Sequence, residues 1–305
     1  MGGASSIPST NYRVMSLEQD AKLAHTLIVA RERLLKLRAP AQSVSCSDMF
    51  IDSTFLLELP SSLEPPASGT SIEWLRPPQI HPQLSLFGSD GPLVDDVWQG
   101  ELGDCYLLSV LCMLVSRSPD SIRDLFVHPS DTSHLSLDGR YILRFYVDGA
   151  LQDVEIDDRL PCLTAPSMVT RPVFAKTCSY PEAQAGIAGK VWVCLVEKAY
   201  SKLFGEGRYG GIVPGKLADA AIDLSGGIVE KRHPQKAARA AKKKAAGKST
   251  EQQCAFFDEI FRARADGAML AASASTPEAR KRTAGIIPDH VCETMHGFPT
   301  CTTPG

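Results

Sequence analysis

Cys105 is the residue with the clearest chemical potential, because it stands directly before a dense apolar run. Residues 106–115 contain no charge, glycine or proline. This composition predicts a buried helix, with Asp104 as its N-cap. A thiol on the first turn of such a helix meets unpaired N–H groups and the positive end of the helix dipole. Both favour the thiolate, which is the nucleophilic form of cysteine.

The residues just before Cys105 strengthen this interpretation. Gly100 and Gly103 allow the backbone to turn tightly and to approach a substrate closely. The amide of Gln99 is a hydrogen-bond donor for an oxyanion that forms on a carbonyl under attack. The alternative is a structural cysteine in the core, which is the commonest fate of a buried thiol. The glycines, the cap and the upstream amide together favour a nucleophile.

Residues 98–109 read Trp-Gln-Gly-Glu-Leu-Gly-Asp-Cys-Tyr-Leu-Leu-Ser. This segment resembles the active-site signature of the calpain family of cysteine endopeptidases, Gln-Gly-x-Leu-Gly-Asp-Cys-Trp-Leu-Leu. The one departure is Tyr106, where the animal enzymes carry Trp. The resemblance implies that Cys105 is the nucleophile and Gln99 the oxyanion-hole donor, with protein substrates.

Further segments, in the same order as in calpains, extend the resemblance over roughly residues 50 to 292. The implied fold is α+β, a papain-like protease core. It has a helical Cys lobe at about 49–205 and a mostly β His lobe at about 206–305, cut short. The segments are Phe-Ile-Asp-Ser-Thr-Phe at 50–55, Trp-Leu-Arg-Pro at 74–77, Ile-Asp-Asp-Arg-Leu-Pro at 156–161, the Trp192–Tyr200 run, and Asp-Leu-Ser-Gly-Gly-Ile at 223–228.

A cysteine peptidase also needs an imidazole that accepts the thiol proton and later protonates the leaving amine. Among seven histidines, His290 is the candidate. It lies in Gly-Ile-Ile-Pro-Asp-His-Val at 285–291, which resembles the calpain segment Gly-Leu-Val-x-x-His-Ala. His296 is the alternative and has no motif support.

The sequence departs from the family after His290. Calpains carry an Asn that orients the imidazole some two dozen residues further on, and no Asn follows His290 here. Loss of an orienting group lowers the rate by orders of magnitude. We expect a fragment, a divergent truncated relative or a pseudopeptidase. The competing hypothesis to an endopeptidase is therefore a catalytically impaired regulatory or scaffold protein.

Calcium is a candidate cofactor by resemblance alone. Animal calpain cores use two calcium ions to bring the Cys and His lobes together. Asp96 matches one ligand of the first site, whereas Arg208 falls near the position of its Glu, with Glu206 close by. Calcium prefers six to eight oxygen ligands, so one matched carboxylate does not define a site.

The composition predicts an intracellular protein, cytoplasmic or peripheral to a membrane. Of 305 residues, 44% are hydrophobic and 22% charged, enough for one large or two modest domains. The net charge of −3 gives no reason to expect nucleic acid as a partner. Nine irregularly spaced cysteines indicate free thiols in a reducing compartment.

Two segments suggest an anionic membrane surface as a further partner. Met-Gly-Gly-Ala-Ser-Ser at 1–6 satisfies the pattern for N-myristoylation of Gly2, although a disordered tail explains it equally well. Residues 231–248 carry eight basic side chains and no acidic one. A myristoyl chain anchors stably only with a second signal such as a basic patch. A capped helical pattern from Ser16 to about Arg38 marks residues 1–48 as a separate extension.

Local patterns predict the remaining elements. Residues 49–92 read as irregular, and Ser118–Val127 as a short helix. Asp148-Gly149 predicts a type I′ hairpin between residues 141–147 and 150–156. Apolar spacing predicts a helix over 191–203, and a capping box at Thr250 begins another that ends near Gly267. The adjacent Asp157 and Asp158 point opposite ways at a strand end, which favours structural roles over an acid–base pair.

Overall fold

The fold is described from a computed structural model. It describes residues 49–61, 63, 69–165, 169–178, 189–231, 258–273 and 291–293, with side chains up to 270. All of them belong to one of the two compact units of the chain, residues 46–305. The N-terminal helix predicted over 16–38 lies outside the described residues. The predicted boundaries at 48/49 and about 205/206 stay predictions.

Helix and sheet are mixed, which confirms the α+β class. Strand β1 (Ser71–Leu75) and helix α1 (Pro77–Ile80) come first, so the prediction of irregular structure over 49–92 was wrong at these two elements. Helix α2 (Cys105–Arg117) follows, and then α3 (Pro119–Arg123). Strand β2 (Phe126–His128) replaces the second half of the helix predicted over 118–127. The β-branched Val127 and the Pro129 that follows His128 both disfavour helix there.

Two three-stranded antiparallel sheets form the β part of the described core. Strands β3 (Arg140–Val147) and β4 (Ala150–Asp157) pair with Val147 opposite Ala150, and β2 joins the outer edge of β3. Both turn residues have positive φ, Asp148 at 50° and Gly149 at 80°, as a type I′ turn requires. The hairpin prediction is confirmed. The other sheet has the order β1-β5-β6, where β5 is Leu160–Thr164 and β6 is Arg171–Pro172.

Helix α4 (Trp192–Phe204) confirms the helix predicted over 191–203, and it lies at the centre of the core. Residues 192–201 are buried without interruption, including Glu197 and Lys198. A helix that is buried all round must supply partners for its charged side chains. Those partners join α4 to the sheets and to α2.

Lys198 makes the principal buried ion pair of the described core. Its Nζ donates to Asp157 Oδ1 at 2.5 Å and to the Arg159 carbonyl at 2.6 Å. Burial alone would raise the pKa of Asp157, but Lys198 and Arg159 hold it at about 2. The neighbouring Asp158 pairs instead with Arg76. The two carboxylates therefore have the separate structural roles that the sequence predicts.

The chain then continues through short elements. After a 3₁₀ turn at Tyr209–Ile212, helix α5 (Leu217–Ser225) ends at Gly226, whose φ of 64° is left-handed. The described part of helix α6, residues 258–265, ends before Gly267, in agreement with the predicted end, while the predicted start at Thr250 lies outside the described residues. Strands β7 (Ala271–Ser273) and β8 (Val291–Glu293) form an antiparallel pair, and β8 lies beside α2.

Replacement of Lys198 by Met tests the importance of this buried pair. The change leaves Asp157 buried with one fewer counter-charge, so we expect a loss of about 3–5 kcal/mol in the free energy of unfolding. Lys216, whose side chain is 76% exposed beside Asp219, provides the matched control. Lys216→Met should cost less than about 0.5 kcal/mol. Urea denaturation measures both values, and equal losses would contradict a structural role for the buried pair.

Candidate active site

Cys105 differs from the structural cysteines in its surroundings. It is the first residue of α2 and is only partly buried, whereas Cys162 and Cys194 are buried. Burial raises the pKa of Cys162 to about 12 and that of Cys194 well above its ordinary value. Both buried thiols therefore stay protonated at neutral pH and are poor nucleophiles. Cys105 combines access to solvent with a position at the positive end of a 13-residue helix.

The loop in front of Cys105 is fastened to the segment that follows β6. Backbone N–H groups of Glu101 and Lys176 donate to the carbonyls of Val173 and Trp98, at 3.0 and 2.9 Å. Between these bonds the two backbones nearly touch. A Cβ on Gly100 would lie 1.7 Å from the Phe174 carbonyl oxygen. Position 100 therefore requires glycine because the Phe174 backbone approaches it closely. The sequence alone suggests only the approach of a substrate.

Gln99 lies in the same loop and is exposed. Its Nε2 donates to the carbonyl of Leu102 at 2.8 Å, which fixes the amide within the loop. An amide nitrogen carries two N–H groups, so one bond of this kind leaves the second as a donor. The loop therefore presents an anchored amide donor on the N-terminal side of Cys105.

Asp104 occupies the N-cap position that the sequence predicts, but its side chain does not cap the helix. Its backbone carbonyl accepts from Leu107 N–H at 2.8 Å, while its carboxyl is fully buried. Apart from the Glu197 carboxyl, no group in the described part of the chain donates a hydrogen bond to either carboxyl oxygen. The expectation of a side-chain cap was therefore wrong, because the carboxyl turns inward.

The inward carboxyl of Asp104 lies against that of Glu197 on α4. The Glu197 oxygens accept from the Ala175 N–H, each at 3.1 Å. Two carboxylates bond to each other only through a shared proton. Burial raises the pKa of Asp104 to about 6, and burial together with the neighbouring Asp104 charge raises the pKa of Glu197 well above its ordinary value. Both directions favour a pair of carboxyls that shares a proton.

Tyr106, the departure from the family signature, joins α2 to the segment after α4. Its hydroxyl donates to the Ile212 carbonyl at 2.8 Å. A Cβ on Gly215 would lie 1.9 Å from Cζ of the Tyr106 ring, so the ring packs directly on that backbone. Gly103 faces the same segment, since its Cβ would lie 3.2 Å from Cγ1 of Val213.

Asp96, the calcium candidate, already has three partners that donate to it. Its Oδ2 accepts from Leu93 N–H at 2.7 Å and from Trp192 Nε1 at 2.8 Å. Its Oδ1 lies 3.1 Å from Nζ of Lys190. No group of three or more His, Cys, Asp or Glu side chains suited to a metal occurs within the ranges described above. These donors do not fit a calcium ligand set.

His290 and Gly2 lie outside the described residues, as does the basic tract beyond Lys231. The candidate base therefore stays a prediction from the sequence. The backbone of β8, which begins at the next residue, Val291, lies beside the helix that carries Cys105. Sequence reasoning assigned no role to Lys190 or Glu197, because each is separated in sequence from its partner by more than ninety residues.

Comparisons with known proteins identify the family of this chain. Residues 50–296 match the calpain family cysteine protease domain. A calpain-type cysteine protease of maize, DEK1, is 31% identical over 226 residues, which are 72% of this chain. Calpain-13 of the rat and calpain-5 of Caenorhabditis elegans are each 31% identical over 61% of the chain. The chain belongs to the calpain family of cysteine proteases.

This chain covers only part of each of those relatives. It spans 9% of the maize protein, 26% of the rat protein and 27% of the nematode protein. The match therefore concerns the protease core.

Gly100→Ala tests the close approach of the two backbones. The added methyl group would overlap the Phe174 carbonyl, so we expect a loss of at least about 3 kcal/mol of stability, with a displaced Cys105 loop. Gly103→Ala is the matched control, because its methyl group meets only the end of a Val side chain. It should cost no more than about 1 kcal/mol. Thermal and urea unfolding compare the two; equal tolerance would contradict the tight contact.

Glu197→Gln tests the shared proton. Because both pKa values are raised in the folded state, the stability from the neutral pair is fully present below about pH 4 and falls as the pH rises through about 6. Glutamine donates an N–H to Asp104 at any pH. The stability of the variant relative to the wild type should therefore increase from pH 4 to pH 8, on the order of 2 kcal/mol.

Asp219→Asn is the control for this pH dependence, since the Asp219 side chain is 60% exposed beside Lys216. Its unfolding free energy should run parallel to that of the wild type across the same pH range. A parallel curve for Glu197→Gln as well would show that the two buried carboxyls share no proton.

Proposed function

We propose that this chain is a calpain-type cysteine endopeptidase that makes limited cuts in protein substrates. The main support is the position of Cys105, a partly exposed thiol on the first turn of the buried helix α2, behind a loop that anchors the Gln99 amide. The family to which the chain belongs makes the same use of this pair. Calcium dependence is a further part of this proposal that rests on the resemblance, and Asp96, paired as it is with Lys190, would not be one of the ligands.

The proposed reaction begins with transfer of the Cys105 proton to His290. The thiolate attacks the substrate carbonyl carbon, and the negative charge moves to the carbonyl oxygen, where the second N–H of Gln99 stabilises it. The imidazolium then protonates the leaving amine as the C–N bond breaks. Water attacks the thioester with His290 as the base, which releases the acid product and restores the thiol.

The basic tract at residues 231–248 favours a second candidate, a catalytically impaired regulatory or scaffold protein. Gly2 acylation and the basic tract at 231–248 would hold this protein at an anionic membrane. No helix in the described ranges is long and apolar enough to cross a membrane.

Labelling by a peptidyl epoxide distinguishes the two candidates. The thiolate opens the epoxide ring and forms a thioether, which intact-mass spectrometry detects. We expect one label on the wild-type chain, none at this position on Cys105→Ala, and a rate at least about a hundredfold lower for His290→Ala. His134→Ala is the matched control, because the His134 side chain is 82% exposed. Its labelling rate should equal that of the wild type.

The experiment is run with calcium and with a chelator, so that a metal requirement is not mistaken for a missing active site. Gln99→Ala should keep its labelling rate but lose about a hundredfold in peptide hydrolysis, because epoxide opening forms no oxyanion on a carbonyl. A folded wild-type chain that takes no label under either condition would overturn the endopeptidase proposal and favour the scaffold candidate.

A further inference from the structure

Lys190 lies at the centre of a small group of oxygen atoms, here called the Lys190 cluster: Lys190, Asp90, Gly91 and Asp96. Its Nζ lies 2.8 Å from the Gly91 carbonyl oxygen, 3.1 Å from Asp96 Oδ1 and 3.2 Å from Asp90 Oδ1. Two carboxylates and a carbonyl are the oxygen ligands that a hard divalent cation prefers. In this protein they surround the ammonium group of a lysine.

The geometry is that of an enclosed cation and not of a surface ion pair. The Lys190 side chain is 12% exposed and that of Asp96 10% exposed, while Asp90 closes the outer side at 55%. A carboxylate as buried as Asp96 needs a counter-charge. Lys190 also holds the pKa of Asp90 below its ordinary range through their hydrogen bond. A second cation, the Arg123 guanidinium, lies against the backbone of Gly91.

The backbone of Lys190 is fixed independently of its side chain. Its N–H donates to the Thr177 carbonyl at 3.0 Å, and the next residue, Val191, donates to Ser85 at 3.0 Å. Val191 is the N-cap residue of α4, so the ammonium extends from the rigid start of the central helix. It reaches the segment 90–96, which leads directly into the loop of Gln99 and Cys105.

We infer that the Lys190 ammonium is the resident cation of this cluster and replaces a divalent metal in joining segment 90–96 to the start of α4. The Cys105 half of the core is then assembled without calcium at Asp96. Neutralising Lys190 leaves two carboxylates, a carbonyl and no central cation, which creates a site for a divalent or trivalent ion. The inference concerns the peptidase core proposed above, but none of its tests depends on catalysis.

Terbium(III) is the probe, because it binds oxygen ligands as calcium does and emits light when a nearby indole absorbs. Trp192 serves as that indole, with its Nε1 2.8 Å from Asp96 Oδ2. We expect no Asp96-dependent tryptophan-sensitised emission from the wild type. Lys190→Gln should show emission that calcium competes away, increased about tenfold or more over the wild type. The double variant Asp96→Asn/Lys190→Gln should lose it.

Thermal unfolding provides the second readout. Lys190→Gln should unfold at a lower temperature than the wild type in chelator and regain stability in calcium, whereas the wild type should not respond through this site. Lys190→Arg keeps the charge and should behave like the wild type. Lys176→Gln is the matched control: it removes the same charge from a side chain that lies 4.0 Å from Glu101 and outside the cluster.

Two results would overturn the inference. One is wild-type terbium emission that Asp96→Asn abolishes, since the metal would then bind with Lys190 present. The other is a folded Lys190→Gln variant that is as stable as Lys176→Gln and binds no ion. If Lys190→Gln folds only with calcium, the inference is supported. If Lys190→Gln folds neither with calcium nor in chelator, the terbium titration of the wild type is the test. Asp96-dependent emission would then overturn the inference, and its absence would support it. Epoxide labelling reports separately on the proposed peptidase.

Discussion

The core of this protein is organised by two adjacent ionisable side chains on one buried helix. Glu197 and Lys198 both lie inside α4, where a polar or charged group without a partner would be very costly. Each must therefore find its partner on another element. Lys198 reaches Asp157 at the end of β4, and Glu197 reaches the Ala175 N–H and the Asp104 carboxyl. These contacts set the position of α4 against both the hairpin and the nucleophile helix.

The surroundings of Cys105 depend on this arrangement at several points. The Asp104 carboxyl, directly before the thiol, meets Glu197 on α4. The Ala175 N–H that Glu197 binds belongs to the segment on which the Gly100 loop rests. Lys190, just before α4, holds Asp96 and so the start of that loop. Helix α4 and the residue just before it therefore hold three parts of the surroundings of Cys105: Asp104, the segment that contains Ala175, and Asp96.

Local patterns predicted those parts of the fold that local energetics decide. Three elements are predicted by residues that lie close together in the sequence, and all three are confirmed. They are the helix after Cys105, the hairpin at Asp148-Gly149 and the helix over 191–203. The helix predicted over 118–127 was wrong in its second half. There, pairing of Phe126 with Leu143 outweighs helix propensity, and no local pattern contains that partner.

The sequence predicts candidate residues for the site but not the contacts that hold them in place. Cys105 and Gln99 stand in one contiguous signature, so the sequence alone identifies them. The inward turn of Asp104 depends on Glu197, and the environment of Asp96 depends on Lys190, each more than ninety positions away. An aspartate directly before a helix is predicted to cap that helix, and only the position of the Glu197 carboxyl shows that Asp104 turns inward instead. Such long-range pairings become visible only when the fold brings the segments together.

The packing of Tyr106 has a consequence for how this lineage can change. Its hydroxyl is bonded to the Ile212 carbonyl, and its ring occupies the space that a side chain at 215 would need. A Tyr106→Trp exchange would place a larger ring against the same backbone and would move the donor atom. The exchange is therefore not neutral by itself. Positions 106 and 215 form a matched pair, so we expect an exchange at one to be tolerated best when the 209–215 segment changes with it.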